Sequence, residues 1–445
     1  MNQLIVAMDS SCGIGYKGKI PWYFPQDLKH FRRQTLGKAI VMGRKTVEGL
    51  PPLKHRKVIC LTRGSPDVSE WKNEVTVVRS LDDISEPVVI AGGAEVYRTA
   101  LERPGYIDKI YLTMIRGEFK SDTFFDLEWL RDFVIVESEQ ADCGSFLTLE
   151  RRTNTEHQYL QLLRNLLKNG IPREGRNGKT LSLFTNHFKF DLRQGFPLLT
   201  TKRMFLRGIL EEFLFFLRGD TDTTSLSESK VRIWEGNTSE SFIKSLGLPY
   251  AKGVMGPMYG YQWRFFGKPY VINKEGRPCP NEYDSKSDQL AKIVRLIKTE
   301  PNSRRILMTS YNPTQAEEGV LYPCHSIVIQ FYVQDNYLDM FCYNRSQDTF
   351  LGVPYNIASS ALLLSVVACL TKKTPRFLNM TMGDTHLYDN HIPQAHQQIG
   401  RIPFKFPSLK IPNITSIADI PKLKASDFAL KNYRHHPTIK GVMIV

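Results

Sequence analysis

The sequence predicts two folded units, the first of them an α/β unit with a central sheet and flanking helices. The chain has 445 residues, enough for two or three domains of about 150 residues each. Short β-branched runs alternate with helical segments through residue 150 or so, which is typical of one sheet covered by helices. After a polar stretch at residues 151–155, the pattern changes to a long amphipathic helix.

The elements of the first unit follow in order. Helices are predicted at residues 25–36 and 94–101, where Pro25 suits the first helical turn and Gly37 the stop. We assign residues 1–152 to the first unit, 153–156 to a short linker and 157–445 to the second unit. The linker is too short for a flexible tether, so we expect the units to pack together. The predicted strands are residues 4–8, 39–42, 57–61, 75–78, 88–91, 109–114 and 133–139.

Composition excludes several classes of protein. Charged residues make up 23% of the chain and hydrophobic residues 42%, which argues against disorder. Seven cysteines without a C-x-x-C pair argue against a disulfide scaffold or a zinc ribbon, so we expect no metal. The longest apolar run, residues 357–370, is shorter than the roughly 20 residues that cross a bilayer. With no basic, apolar leader at the start, we expect a soluble cytoplasmic protein that binds no membrane.

Charge is distributed unevenly. The net charge is +14, of which residues 1–152 carry +1 and the remainder +13. The second unit should therefore face an anion such as a phosphate, a polyglutamate or a nucleic acid. A solvated basic surface is the alternative.

One acid of the first unit lies on a distinctive helix face. Asp27 and Phe31 are four residues apart on the predicted helix and share a face with Thr35. An aspartate in a first helical turn is usually a surface residue that complements the helix dipole, so Asp27 indicates a site only in combination with other motifs.

Glycines and cations follow neighbouring strands. Gly92 and Gly93 lie between a buried strand and a helix, where backbone N–H groups can approach a pyrophosphate. Arg44, Lys45 and Arg63 follow adjacent strands. Cations at those strand ends suit a 2′-phosphate, and hence NADPH rather than NADH.

Together these motifs resemble the dihydrofolate reductase family over residues 1–152, through IVAMDSSCGIGYKGKIPW, PQDLKHFRRQT, IVMGRKT, VICLTR, IAGGAEVY and IYLT. The resemblance implies that Asp27, supported by Thr113, binds the pterin ring and promotes protonation at N5 while NADPH delivers hydride to C6. The implied folate site is Asp27, Phe31, Leu50, Arg56 and Thr113, with Ile20 as a further apolar wall. The implied NADPH ligands are Ala7, Ile14, Gly43, Arg44, Lys45, Thr46, Thr62, Arg63, Gly92, Gly93, Ala94 and Glu95.

One cysteine of the second unit has a distinctive context. Cys324 lies in Tyr-Pro-Cys-His, ahead of a predicted strand at residues 326–333. A catalytic thiol needs a low pKa, usually from nearby cations, and Arg304, Arg305 and Arg345 are candidates. Three arginines with Ser346 could also hold a phosphate. On spacing alone, a Cys-His pair is more often structural.

The wider pattern resembles the thymidylate synthase family over residues 157–445, through FPLLTTKR, LRGILEEFLFFLRGDT, GPMYGYQWR, PNSRRI, YPCH, NRSQDTFLGVPYNIAS and GDTHLYDNH. The resemblance implies an α+β unit in which Cys324 adds to C6 of dUMP. C5 then attacks the methylene of 5,10-methylenetetrahydrofolate, the cosubstrate, which next supplies its own hydride and leaves as dihydrofolate. Glu212 is implied to organise proton transfers, and Tyr259 to lie near the C5 proton.

The resemblance also implies the binding residues. Asp348 would bind the pterin and Trp234 would form a wall of the folate site. Arg304 and Arg305 would reach the phosphate from a second subunit, so a homodimer through this unit is implied. The implied dUMP ligands are Arg176, Arg304, Arg305, Arg345, Ser346, Asn356, His386 and Tyr388.

Asn356 distinguishes two related reactions. Its amide can accept from uracil N3–H and donate to O4, whereas a carboxylate there would suit the edge of cytosine. The asparagine therefore favours thymidylate synthesis over deoxycytidylate hydroxymethylation.

The sequence thus predicts an enzyme with two activities, thymidylate synthesis and reduction of the dihydrofolate that it produces. A nucleic-acid-binding or regulatory protein that uses the basic second unit is the alternative, although no aromatic–basic nucleic-acid module is visible. A chain in which one half is inactive is a further alternative.

Overall fold

A computed structural model of the chain describes residues 2–71, 75–151, 155–175 and 178–443. The chain divides into two compact units. The first comprises the described residues of Met1–Asn154 together with Ile402–Lys405, and the second those of Thr155–Arg401 and Phe406–Val445. Residues 152–154, which include the first two positions of the predicted linker, lie outside the described residues.

The first unit has one main sheet with helices beside it. Its helices are α1 (Pro25–Thr35), α2 (Arg44–Glu48) and α3 (Ala94–Leu101). Its strands are β1 (Gln3–Met8), β2 (Gly13–Gly15), β3 (Ala39–Gly43), β4 (Lys57–Leu61), β5 (Val75–Val78), β6 (Val88–Ile90), β7 (Lys109–Ile115), β8 (Thr123–Phe124), β9 (Phe133–Ala141) and β10 (Gly144–Arg151).

The main sheet has the order β5-β4-β3-β6-β1-β7-β10-β9. Strands β5 through β7 in that order are parallel, and β10 and β9 run antiparallel at one edge. Alternate residues of β3 enter separate cores: Val41 packs on one face and Ile40 and Met42 on the other. Burial on both faces explains why these strands read as continuous apolar runs.

The edge of this sheet receives a segment from late in the chain. The N–H of Ile135 on β9 donates to the carbonyl of Pro403 at 3.1 Å, and Ile135 forms a parallel bridge with Phe404. Ile402 is buried in the same core. The sequence carries no local signal for this pairing, because it depends on a segment about 270 residues away.

The second unit combines a sheet with a larger set of helices. Its helices are α4 (Glu156–Asn169), α5 (Leu206–Arg218), α6 (Thr224–Glu228), α7 (Glu240–Ser245), α8 (Gly260–Phe265), α9 (Gln289–Thr299), α10 (Gly352–Leu370) and α11 (Ile392–Ile399). Its strands are β11 (Ile171–Gly175), β12 (Gly178–Asp191), β13 (Leu307–Thr309), β14 (Val328–Gln334), β15 (Tyr337–Asp348), β16 (Thr374–Tyr388), β17 (Ser408–Lys410) and β18 (Ala429–Lys431).

The main sheet of the second unit has the order β11-β12-β16-β15-β14-β13, with β15 and β16 parallel and the other neighbours antiparallel. On β14, Ile329 and Phe331 are buried, whereas Gln330 and Tyr332 are exposed. One face therefore covers the core and the other is open in this chain. Among the described residues, α10 is the one helix long and apolar enough to cross a bilayer, and 78% of that stretch is buried, as in a core helix.

Most predicted elements are observed close to their predicted bounds. Helix α3 and strand β4 have the predicted limits, and α1 ends one residue early. The strand predicted at 326–333 begins later because Ser326 has a φ of 53°. Its N–H donates to Asn344 Oδ1 at 2.8 Å. Helix α2 begins at Arg44, directly after Gly43 at the end of β3.

Candidate active sites

The acid of the first unit lies in the first turn of α1. Asp27 is 8% exposed, and burial raises the pKa of its carboxyl group, against the opposing effects of Thr113 and Trp22. Thr113 is buried on β7 and is paired with Ala7 on the adjacent β1. The indole N–H of Trp22 is buried and lowers the pKa of this carboxyl group, although it does not form a hydrogen bond of good geometry with it.

Asp27 lies on the buried face of α1, whereas a dipole-complementing aspartate would lie on the exposed face. Phe31 and Thr35 extend the Asp27 face. The guanidinium carbon of Arg56 lies 6.0 Å from the centre of the Phe31 ring, and Arg56 Nη1 donates to the Thr35 hydroxyl at 3.3 Å. Leu50 packs at the edge of the neighbouring core. The predicted folate residues Phe31 and Arg56 are therefore brought together.

Two apolar side chains near this acid are exposed. Ile20 is 52% and Leu28 is 46% exposed. Leu28 follows Asp27 and lies three residues before Phe31 on α1, so the two side chains are neighbours on the helix. Sequence analysis did not single out Leu28. The sequence signal for it was an apolar side chain on a helix made mostly of polar and charged residues.

The predicted cofactor residues gather where parallel strands end. The N–H of Gly43, at the end of β3, donates to the carbonyl of Gly92 at 2.9 Å. Thr46 is so close that a Cβ on Gly93 would lie 3.3 Å from its hydroxyl oxygen. Helix α3 begins at Ala94, beside these glycines. Its free N–H groups face the same end of the sheet.

The remaining predicted cofactor residues surround this edge. Arg44 begins α2 after β3, and Thr62 and Arg63 follow the adjacent parallel strand β4. Arg44 forms an exposed ion pair with Glu48 at 3.5 Å. The other four positions are Ala7 on β1, Ile14 on β2, Lys45 on α2 and Glu95 on α3.

The cysteine of the second unit contacts a tyrosine. Cys324 Sγ lies 3.2 Å from the Tyr259 hydroxyl oxygen, and the Tyr259 ring stacks on His325 at 4.2 Å. The Cys324 carbonyl accepts from the N–H groups of Arg345 at 2.8 Å and Ser346 at 3.2 Å. These bonds attach the Tyr-Pro-Cys-His segment to β15.

Opposing influences act on the pKa of the Cys324 thiol. Burial raises the pKa of Cys324, and this effect exceeds the lowering effects of Tyr259 and Arg345. Tyr259 and Arg345 therefore act in the direction that a nucleophilic cysteine needs, against the effect of burial.

A close helix contact positions Tyr259. A Cβ on Gly260 would lie 2.1 Å from the carbonyl oxygen of Phe216 on α5, so only glycine permits this approach. Tyr259 itself has a φ of 41°, a strained conformation for a residue with a side chain.

The same helix carries the predicted carboxylate. Trp234 Nε1 donates to Glu212 Oε1 at 2.8 Å, and the Trp234 ring centre is 6.2 Å from that of Tyr259. Burial raises the pKa of Glu212 to about 7, although the Trp234 hydrogen bond opposes this shift. A carboxyl group with this pKa can both give and take a proton near neutral pH.

The predicted phosphate ligands lie in different parts of the second unit. Arg345 Nε donates to the Pro323 carbonyl at 3.1 Å, and its guanidinium carbon lies 5.3 Å from the Tyr322 ring centre. Arg304 and Arg305 are exposed just before β13. Arg176 lies outside the described residues.

Strand pairing brings further predicted ligands together. Asp348 on β15 pairs with His386 on β16. Asp348 Oδ1 accepts from the N–H groups of Phe350 and Leu351 at the start of α10. His386 Nδ1 lies 3.0 Å from Asp384 Oδ1, and its ring is 5.3 Å from that of Tyr388.

Asn356 is held by a residue that sequence analysis missed. Asn356 Nδ2 donates to Gln347 Oε1 at 2.8 Å. Gln347 lies between the predicted ligands Ser346 and Asp348, which was its only sequence signal. Asp384, next to His386, was missed for the same reason: its neighbours carried the motif. Within the described ranges, no group of three His, Cys, Asp or Glu side chains could hold a metal ion.

Comparisons with known proteins cover the whole chain. The dihydrofolate reductase family model matches residues 1–153, and the thymidylate synthase model matches residues 157–445. A bifunctional dihydrofolate reductase-thymidylate synthase of Paramecium tetraurelia is 33% identical, with 99% of this chain and 98% of that protein aligned. Proteins of the same description from Arabidopsis thaliana and Leishmania major are each 35% identical, over 100% and 99% of this chain and 96% and 95% of their own lengths.

Proposed function

This chain belongs to the bifunctional dihydrofolate reductase–thymidylate synthase family, and we propose that each unit carries one of the two activities at the site described above. The chain makes dTMP from dUMP and 5,10-methylenetetrahydrofolate, and it reduces the resulting dihydrofolate with NADPH. We assign the reductase to residues 1–152, in a dihydrofolate reductase-like α/β fold. The synthase is assigned to residues 157–445, in an α+β fold, and both work in the cytoplasm.

The observation that carries the synthase assignment is the 3.2 Å contact between Cys324 Sγ and the Tyr259 hydroxyl. The neutral Tyr259 hydroxyl can donate a hydrogen bond to the Cys324 thiolate, and this bond and Arg345 both favour the thiolate. A dUMP phosphate on Arg345 and Ser346 would hold the base above Cys324, because both N–H groups bond to the Cys324 carbonyl.

The reaction then follows from these positions. Addition of Cys324 to C6 makes C5 nucleophilic, and C5 attacks the methylene carbon of the folate. Glu212, with a pKa of about 7, suits the transfer of protons through bound water. Asp348 has Oδ2 free of the α10 bonds and would bind the pterin.

The reductase assignment rests on Asp27. A buried carboxyl group with a raised pKa can hold the proton that the pterin needs. The glycines at positions 43, 92 and 93 leave backbone accessible beside Thr46, which fits the phosphates of NADPH, and Arg44 and Arg63 suit its 2′-phosphate. NADPH supplies a hydride when it is bound.

The synthase unit is proposed to form a homodimer through the open face of its sheet. Leu307 and Phe341 flank Gln330 on neighbouring strands, and these apolar side chains, with Tyr332 two residues along β14, are exposed. Strand alternation puts Arg345 on the same face as Phe341. A partner on this face could supply Arg304 and Arg305 to the phosphate.

A single assay tests both activities. With dUMP, methylenetetrahydrofolate and NADPH, absorbance at 340 nm should rise as dihydrofolate forms and then fall as NADPH is oxidised. Cys324→Ala should abolish both phases, a loss of at least about 10³-fold in dTMP formation. Added dihydrofolate should restore NADPH oxidation in this variant at the wild-type rate. A wild-type rate of dTMP formation in Cys324→Ala would show that Cys324 is not the nucleophile.

Subunit mixing tests the shared phosphate site. Cys324→Ala and Arg304→Ala/Arg305→Ala chains should each be nearly inactive as synthases. Random exchange makes about half of the dimers mixed, each with one intact site, so activity should recover to roughly a quarter of wild type. No recovery, with mixed dimers verified by mass spectrometry, would contradict a shared site and leave Cys324 unaffected.

A further inference from the structure

A buried glutamine connects the phosphate segment to the residue that contacts the base. Gln347 is 2% exposed. Its Oε1 accepts from Asn356 Nδ2 at 2.8 Å, and its Nε2 donates to the Ser346 carbonyl at 2.9 Å. The two bonds use opposite ends of one amide.

The backbone carbonyl determines the direction of both bonds. A carbonyl oxygen can only accept, so the NH₂ end of Gln347 must face Ser346 and its oxygen must face Asn356. Asn356 must then present its own NH₂ end to Gln347. Ser346 is itself fixed, because its N–H donates to the Cys324 carbonyl at 3.2 Å. The chain of bonds therefore allows only one orientation of the Asn356 amide.

That orientation matters because an amide is nearly symmetric in shape but not in hydrogen bonding. With Nδ2 held by Gln347, Asn356 keeps Oδ1 to accept from N3–H and one Nδ2 hydrogen to donate to O4, which is the pattern of uracil. Cytosine has an acceptor at N3 and an NH₂ group at C4. A rotated Asn356 amide would match cytosine equally well.

We propose that Gln347 is a positioning residue that fixes the Asn356 amide and thereby makes the synthase site select uracil over cytosine nucleotides. Selectivity thus depends on Gln347 as well as on Asn356, since an unrestrained asparagine can rotate to suit either base. The inference rests on the proposed function, because it takes Asn356 to contact the base of dUMP.

The test measures the affinities of the full-length protein for dUMP and dCMP by titration calorimetry. Gln347→Met keeps the length of the side chain and removes both amide bonds. We expect it to weaken dUMP binding about fivefold, in line with the loss of one neutral hydrogen bond. Binding of dCMP should be unchanged or tighter, so the ratio of the two affinities should fall. Gln347→Ala provides a second variant if methionine disturbs folding.

Gln262→Met is the matched control. Gln262 is also buried, and its Nε2 donates to the Pro257 carbonyl at 2.8 Å and to Gln315 Oε1 at 3.1 Å. It should leave the ratio of dUMP to dCMP affinities unchanged. If Gln347 had only a structural role, its replacement would weaken the binding of dUMP and dCMP equally.

Asn356→Asp distinguishes a failure of the positioning role of Gln347 from a failure of the proposed contact between Asn356 and the base. If this variant shifts preference towards dCMP while both Gln347 variants keep the wild-type ratio, the positioning role is overturned and the proposed function stands. If Asn356→Asp leaves the ratio unchanged, the assignment of Asn356 to the base fails, and the inference about Gln347 fails with it.

Discussion

The two units hold their buried acids in different ways. In the first unit, Trp22 lowers the pKa of Asp27 through a contact that is not a hydrogen bond of good geometry. In the second unit, Trp234 donates directly to Glu212 at 2.8 Å. Burial raises the pKa of both carboxyl groups.

The difference indicates different uses of a carboxyl group. Asp27 has no hydrogen bond of good geometry from Trp22, which suits the direct binding of a pterin proposed for it. Glu212 already has one oxygen engaged by protein, so it is suited to act through neighbouring water. We therefore predict that the two carboxyl groups, whose pKa values are raised by the same cause, serve two purposes because their hydrogen bonds differ.

The largest expected effect is the loss of dihydrofolate reduction when Asp27 is replaced, which would test the role given to this acid in the comparison. Asp27→Asn removes the direct proton donor, so dihydrofolate reduction at pH 7 should fall about 10²–10⁴-fold. The measurement is NADPH oxidation with dihydrofolate, and dTMP formation by the same preparation is the internal control. A reductase rate within twofold of wild type would show that Asp27 does not supply the proton.

A smaller effect concerns the stability of the second unit. The pKa of Glu212 is raised from 4.5 to about 7, so its ionisation destabilises the folded state as pH rises through this window. Below pH 4.5 the Glu212 carboxyl group is protonated in both the folded and the unfolded state, so this destabilisation is absent. Glu212→Gln should therefore be more stable than wild type at pH 8, by at most about 3 kcal/mol, and the difference should vanish near pH 4.

Calorimetric unfolding of the full chain at both pH values measures this difference. Asp27→Asn serves as the comparison, because its effect should appear in the transition of the other unit. A Glu212→Gln chain that is less stable than wild type at pH 8 would mean that the ionised carboxylate is stabilised in the fold.

The smallest effect tests the tryptophan bond itself. Trp234→Phe removes the donor that opposes the rise in pKa, so the Glu212 limb of the synthase pH profile should move upward by about one unit. Trp263→Phe is the control. The rings of Trp234 and Trp263 each lie 6.3 Å from the Phe216 ring, but the buried indole nitrogen of Trp263 bonds to no other described residue. Equal shifts in the two variants would assign the change to packing.

Local pattern predicted much of the fold. Strand β4 and helix α3 were predicted with their observed bounds, because apolar periodicity and flanking glycines act within a few residues. The Ile135–Phe404 bridge was not predicted, because strand pairing between distant segments leaves no local signal.

The candidate sites divide in the same way. The sequence by itself singled out Cys324, Glu212, Asp27 and Asn356, since each is a reactive or polar group within a specific motif. Only the tertiary structure showed that burial keeps the thiol pKa high and that Gln347 holds Asn356. A residue type reveals which proton or hydrogen bond it can offer. Its pKa and orientation depend on desolvation and on partners brought from elsewhere in the chain, and these exist only after folding.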